Sequence, residues 1–313
     1  MIIIGNALEE MKKIKDESID CIITSPPYWA LRDYQTQGQI GQETTIKEYI
    51  KNLVDIFNEA KRVLKNDGTC WVNISDTYAG DKTGKTDRMM DYIPNQNIKK
   101  RVRELPRKSL CNIPARFSIA MQDEGWILRN EIIWYKPNAM PSSVKDRFTV
   151  DFEKIYFFTK NTDYYFNQPK EPMRTKDISQ PRGSKGTLGS LNGGRRNKQD
   201  SLGKATYTGF NGRYKADENL MRNKRTVWTI NTQRSTYEHF AMFPKELVET
   251  IIEAGCRPQG KVLDMFLGSG TTIKVASTMN RAYVGIEINP EYAEIAKKRM
   301  ENVQISIFGW KEE

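Results

Sequence analysis

The chain has 313 residues, a formal charge of +10 and a pI of about 9.2, so it can bury a sizeable core and its positive balance suggests a polyanionic partner. No stretch approaches the roughly 18 apolar residues of a membrane helix, and Met1 to Gly5 is far too short for a signal peptide, so a soluble, cytoplasmic protein with no membrane partner is expected. Cys21, Cys70, Cys111 and Cys256 are widely separated and His239 is the only histidine, which argues against a metal site and for buried thiols in a reducing compartment.

Met1 to Ile4 reads as a short strand closed by Gly5-Asn6, and Ala7 to Ile14 as a short helix. Ile19 to Ile23 is an apolar, partly β-branched run that reads as a buried strand. A proline pair cannot continue a ladder, so the strand must stop at Thr24-Ser25-Pro26-Pro27-Tyr28, with Trp29 following. Ser25 and Tyr28 are thereby left on a stiff loop at a strand's carboxyl end, where open α/β sheets put their ligand crevice. The loop offers a hydroxyl, oriented carbonyls and aromatic faces. It suits holding a flat polar group better than attacking one.

Thr45 to Leu64 has a helical apolar period, with a stop expected at Lys65-Asn66-Asp67-Gly68, and Thr69 to Ile74 reads as a strand. Strand, helix and strand in this order predict a right-handed crossover and a largely parallel sheet. Residues 76 to 110 are polar and basic and read as a mobile loop on the ligand edge. A helix over Ile113 to Glu124 and strands over Trp126 to Tyr135 and Phe152 to Phe158 follow. Asp76 is either catalytic or a capping residue. Between Lys170 and Arg225 there are fourteen Lys/Arg against five Asp/Glu, with eight glycines. Such a segment cannot form much core alone and reads as a flexible basic insertion.

From Thr226 the pattern is globular again. Helices are predicted over Pro244 to Ala254, Thr271 to Asn280 and Glu291 to Val303, and strands over Lys261 to Phe266 and Ala282 to Glu287. Val262 to Thr272 is a strand that ends in a Gly-x-Gly turn opening a helix, so a ligand can approach the backbone and the helix N-terminal amides. Glu287 closes the next strand about twenty residues later, where an acidic residue commonly binds ribose hydroxyls. Ile273 stands where a dinucleotide site has its third glycine, and Asp264 would repel a pyrophosphate. The pattern fits S-adenosyl-methionine, with its amino and sulfonium groups, better than a nicotinamide nucleotide.

Together the Ser-Pro-Pro-Tyr loop and the Asp264-Met265-Phe266-Leu267-Gly268-Ser269-Gly270-Thr271 loop resemble the DNA amino-methyltransferases, which methylate cytosine N4 or adenine N6. The catalytic motif precedes the cofactor motif, which looks like the permuted β group. Trp134 to Arg147, His239 to Pro244 and Trp71 to Asp76 are similar to further family motifs. The resemblance covers most of the chain. It implies a Rossmann-like, circularly permuted methyltransferase sheet, divided as a catalytic half over 1–165, a basic target-recognition insertion over 166–225 and a cofactor half over 226–313.

The resemblance also implies double-stranded DNA as substrate, a base swung out of the helix, and a restriction-modification system with a cognate restriction endonuclease. Monomer and homodimer are not distinguished. Ser25, Pro26, Pro27 and Tyr28 would be catalytic, with hydrogen bonds to Ser25 and the Pro26 carbonyl freeing the amino lone pair and Tyr28 stacking on the base. Thr24, Phe243, Asp264, Phe266, Gly268, Ser269, Gly270 and Thr271 would surround the cofactor, with Glu287 on its ribose. The family has Asp where this chain has Asn6, whose amide can still bond the adenine.

Trp29 is a candidate base contact. Arg195, Arg196, Arg222, Lys224 and Arg225 are candidate phosphate contacts. Lys136 and Arg147 either reach DNA or brace their loop. Ser25 is the cytosine-type variant of the motif, with adenine N6 as the alternative. A C5-cytosine enzyme is disfavoured because no cysteine follows a proline. A non-catalytic DNA-binding protein is disfavoured by the two intact loops.

Overall fold

The computed structural model describes residues 1–29, 36, 38–80, 104–172, 221–233, 244–301 and 303. In chain order the strands are β1 (Ile2–Ile4), β2 (Ile19–Thr24), β3 (Leu64–Ile74), β4 (Ile127–Tyr135), β5 (Phe152–Thr159), β6 (Lys170–Pro172), β7 (Met221–Asn223), β8 (Val227–Thr229), β9 (Lys261–Asp264) and β10 (Ala282–Glu287). The helices are α1 (Ala7–Met11), α2 (Ile46–Val63), α3 (Ile113–Asp123), α4 (Lys245–Gly255), α5 (Thr271–Thr278) and α6 (Pro290–Glu301).

Eight strands form one sheet in the order β1-β10-β9-β2-β3-β5-β4-β8. Every neighbouring pair is parallel except those of β5, which runs against both β3 and β4. The fold is thus the α/β class expected, with one reversed strand. Alternate residues of each strand face opposite sides. Ile22, Cys70, Val72, Phe158 and Leu263 pack with α2 and α3, whereas Cys21, Ile23, Trp71, Phe157 and Val262 pack with α4 and α5. Two apolar faces leave both sides of the sheet covered, so its strands read as continuous hydrophobic runs.

The long helix α2 begins with a capping box, in which Thr45 Oγ1 accepts from Glu48 N and Glu48 Oε2 accepts from Thr45 N, each at 3.1 Å. Its stop differs from expectation. The helix ends at Val63, and Lys65 to Gly68 lie inside β3 as an irregularity between the pairs Ile19↔Leu64 and Cys21↔Thr69. A Cβ on Gly68 would sit 2.6 Å from Leu64 Cδ1, so a larger residue there would displace the Leu64 side chain. β9 also stops two residues early, since Phe266 N turns back to Asp264 Oδ1 at 3.1 Å.

The chain divides into two units, Met1–Asn167 with Thr226–Glu313, and Gln168–Arg225. In the second unit β6 and β7 pair antiparallel. Of the expected loop over 76–110, residues 81–103 lie outside the described residues, and its ends are joined by the Tyr78↔Leu110 bridge. All four cysteines are buried and free. Among the described residues no helix is long and apolar enough to cross a membrane.

Candidate functional site

β2 and β9 lie side by side, with Cys21 opposite Val262 and Ile22 opposite Leu263. Both strands therefore deliver their following loops to the same sheet edge. The link between them is direct: Thr24 Oγ1 donates to Asp264 Oδ1 at 2.8 Å, across 240 residues of sequence. Asp264 is buried, and burial pushes its carboxyl up to about 6, against the opposing effect of its hydrogen bonds. Thr24 corrects an expectation. It is fully buried, its hydroxyl is committed to Asp264, and it does not line the cavity. Its side chain supports the site through Asp264.

The glycine turn after Asp264 is built by two different constraints. Gly268 has φ +54°, and its N–H donates to Glu287 Oε2 at 2.7 Å. A Cβ there would meet nothing within 4 Å, so that side of the turn is open. Gly270 has φ +83° and precedes α5, but a Cβ there would lie 2.8 Å from Ala296 Cβ in α6. Gly270 is thus required by packing and is not itself part of the cavity wall. Glu287 Oε1 accepts from Asn289 N at 2.9 Å, and burial raises this carboxyl despite the two N–H donors.

Arg299 of α6 holds the turn from behind, donating to Ser269 O at 2.6 Å and to Ser269 Oγ at 2.8 Å. Sequence reasoning missed it because it is one basic residue in a charged helix. Asn6 lines the cavity, but its Oδ1 caps α1 through Leu8 N at 3.0 Å and its Nδ2 donates to Gly38 O at 3.2 Å.

The Ser25 to Tyr28 loop forms the facing wall. Tyr49 of α2 donates its hydroxyl to Pro27 O at 2.8 Å, which fixes the proline pair. Tyr28 OH donates to Glu153 Oε2 at 2.8 Å, lies 3.3 Å from Asn73 Oδ1, and accepts from Ser25 Oγ at 3.4 Å. Burial, then the charge of Glu153, holds the phenol well above its ordinary value, so it stays protonated and donates. Glu153 in turn is ion-paired with Lys136, whose ammonium lies 4.3 Å from the Trp134 ring centroid. Glu153 was not visible as a site residue. It sits at the start of an apolar strand, and only the reversal of β5 brings that end to the ligand edge.

These residues enclose a cavity of about 720 Å³, lined on one side by Ser25, Pro26, Pro27, Tyr28, Asn73, Lys136 and Glu153. Asn6, Asp264, Phe266, Gly268, Ser269, Thr271 and Glu287 line the other. Thr272 also lines it, its buried hydroxyl set against the Asp264 carboxylate, which it favours in the ionised form. Trp29 corrects a further expectation. It packs in the core at 9% exposure, with its indole N–H on Glu43 O at 3.1 Å, and does not line the cavity.

Lys136 is held by Glu153, and Arg147 lies over the Tyr78 ring at 3.9 Å while its side chain stays exposed. Asp76 is a capping residue, accepting from Thr77 N and Ile113 N at 2.9 and 3.1 Å. In the second unit Arg222 and Arg225 each grip Glu171 at 2.9 Å, and Lys224 N donates to Pro169 O. The two arginines are therefore not simply displayed for phosphates. Phe243, Arg195 and Arg196 lie outside the described residues.

Residues 19–298 match the model of the DNA methylase family of N6 and N4 methyltransferases. The chain is 40% identical over 308 residues to the type II methyltransferase M.SmaI of Serratia marcescens, covering 96% of this chain and 90% of that protein. Among solved structures it resembles the PvuII DNA methyltransferase (cytosine-N4-specific), with TM-score 0.62, 21% identity and coverage of 97% and 87%. It also resembles TTHA0409 of Thermus thermophilus complexed with S-adenosyl-L-methionine, with TM-score 0.58, 20% identity and coverage of 98% and 95%.

Proposed function

Since the chain belongs to the DNA methylase family, we propose that it methylates the exocyclic N4 amino group of a cytosine swung out of duplex DNA. The methyl donor is S-adenosyl-methionine and the setting a restriction-modification system. The observation that carries this reading is the Thr24–Asp264 hydrogen bond, which holds the target loop and the glycine loop on one cavity. The type II naming of M.SmaI supports the setting, and the S-adenosyl-methionine complex of TTHA0409 supports the donor.

The residues present fit that donor. Two buried carboxylates, Asp264 and Glu287, stand in the cavity wall with raised pKa values. A cationic amino or sulfonium group would favour the ionised Asp264, and ribose hydroxyls donating to Glu287 would favour its ionised form. The open side of Gly268 leaves room for the ligand to approach the backbone. Phe266, Ser269 and Thr271 complete that wall, with Asn6 at its margin. When bound there, S-adenosyl-methionine supplies an electrophilic methyl group on sulfur.

The chain's own contribution is to prepare the amino nitrogen. The lone pair of a cytosine amino group is delocalised into the ring, so it is a poor nucleophile. Ser25 Oγ and the Pro26 carbonyl accept the two amino hydrogens and favour a tetrahedral nitrogen. Because Glu153 can only accept, Tyr28 donates to it and leaves its own oxygen to receive Ser25's hydrogen. Ser25 is then oriented as an acceptor toward the cavity. The Tyr28 ring offers a stacking face, an interaction worth about 1–3 kcal/mol per base. Positioning supplies much of the catalysis.

Ser25 in the first motif position favours cytosine, and the cytosine-N4 specificity named for the PvuII enzyme supports it. The basic insertion from Lys170 to Arg225 is the element assigned to reading the DNA site. The test is mass spectrometry of nucleosides from DNA methylated by the purified protein, paired with modification-sensitive sequencing. N4-methylcytosine at one recurring sequence is expected. N6-methyladenine would overturn the base assignment, and no methylated base would overturn the activity.

A further inference from the structure

Between β4 and β5 the chain runs for sixteen residues, Lys136 to Asp151, without helix or strand. Loops of that length inside a domain are usually functional. Both ends of this one line the cavity, through Asn138 and Met140 on the way out and Val150 on the way back. Within it Phe148 is 95% exposed, the most exposed large hydrophobic side chain among the described residues. A single exposed apolar residue needs no explanation. Phe148, however, shares its loop with Met140, Val144 and Val150, all exposed, so apolar surface is concentrated beside the cavity.

The loop is held in place while that ring stays in water. Lys136 N donates to Asp151 O at 2.8 Å and closes its base. Asn138 exchanges hydrogen bonds with the Thr232 main chain at 3.0 and 2.9 Å. Immediately before Phe148, Asp146 is ion-paired with Lys108 and Arg147 stacks over Tyr78. The charge left on display beside the phenyl ring is positive, from Lys145 and Arg147, because Lys108 matches the intervening carboxylate. A fixed aromatic ring flanked by cations suits a duplex, with phosphates for the charges and a base step for the ring.

We infer that Phe148 is a wedge that enters the base stack of duplex DNA beside the target nucleotide and replaces the stacking lost when that base is extruded. This rests on the DNA-methylating reading above. The cavity beside the loop receives the base, and the wedge keeps the duplex from closing behind it.

The test compares the wild type with Phe148→Ala and Phe148→Trp in single-turnover methylation of a duplex carrying the site found by sequencing. A second duplex is identical but has an abasic residue opposite the target base. Phe148→Ala is expected to slow methylation of the paired duplex on the order of tenfold or more, the cost of unstacking without a wedge. On the abasic duplex, where no pair has to be broken, its rate returns to within about threefold of wild type. Phe148→Trp keeps the wild-type rate on both.

An almost wholly exposed side chain contributes little to folding, so the melting temperature should not move. Wild-type speed of Phe148→Ala on the paired duplex, or equal loss on both duplexes, would overturn the inference. A wild type that methylates neither duplex overturns the functional reading, and the wedge with it.

Discussion

The two walls of the cavity draw on the chain differently. The wall assigned to the methyl donor is assembled between Asp264 and Glu287, from one strand end, a glycine turn and the next strand end, and its contacts are mostly backbone amides on buried carboxylates. The wall assigned to the base collects Ser25, Tyr28, Asn73, Lys136 and Glu153 from separate strands and loops, joined by side chains. A turn of backbone groups has few alternative arrangements, so its tolerance of change is low. A side-chain network can be retuned one residue at a time, which suits the wall that must match a particular base.

Replacing Asp264 should break the first wall most severely. In Asp264→Asn an amide oxygen can still accept from Thr24 and Phe266, both of which bond the single atom Oδ1. The fold should therefore survive, while affinity for S-adenosyl-methionine falls about 100-fold, the scale of a lost hydrogen bond to a charged group. Isothermal calorimetry reads the affinity, and an unchanged value would remove Asp264 from the binding wall.

The two glycines divide the same wall further. Gly270→Ala combines a left-handed backbone with the approach to Ala296, and should destabilise by about 2–3 kcal/mol in urea unfolding. Gly268→Ala meets open space and should cost only about 1 kcal/mol, as backbone strain. Equal costs would mean that α6 yields to Gly270→Ala.

The second wall should fail in rate before it fails in affinity. Glu153→Gln keeps the shape but removes the obligate acceptor behind Tyr28 and the partner of Lys136. The single-turnover rate should fall about tenfold with the S-adenosyl-methionine Kd unchanged, since only the nitrogen's preparation is lost. A Kd that rises as the rate falls would join the two walls into one.

Near pH 7 the smallest effect expected is the pH dependence of the donor wall, which grows only below the Asp264 titration. Folding raises the Asp264 carboxyl to about 6, so the folded chain keeps a proton that the unfolded chain has already released. Its contribution to stability is thus present at low pH and falls as pH rises through about 6. A cationic ligand binds the ionised form, so the affinity trend is the reverse. Binding of S-adenosyl-methionine should weaken by up to about tenfold per unit as pH drops below that value, and a flat profile from calorimetry across the range would assign the cation elsewhere.

Much of this site is legible in the chain itself. A proline pair after a buried run forces a stop whatever surrounds it, and a Gly-x-Gly between strand and helix forces a tight turn. Both signals are local, so the sequence locates Ser25 to Tyr28 and Gly268 to Thr271. Trp29 misleads because exposure is not a local property. Nothing in its neighbours indicates that its ring enters the core and its indole finds Glu43. Gly270 reads as room for a ligand when Ala296, a helix later, is what needs the space.

By itself, then, the sequence determined the class of fold, the two loops and the family, because stops, turns and apolar periods act over a few residues. Only the tertiary structure decided which side chains stand behind those loops. Glu153 reaches Tyr28 because β5 runs backwards beside β3, and Asp264 is charged at a cost because it ends β9, buried between β10 and β2. Those facts depend on strand order and direction, which no stretch of the chain carries alone.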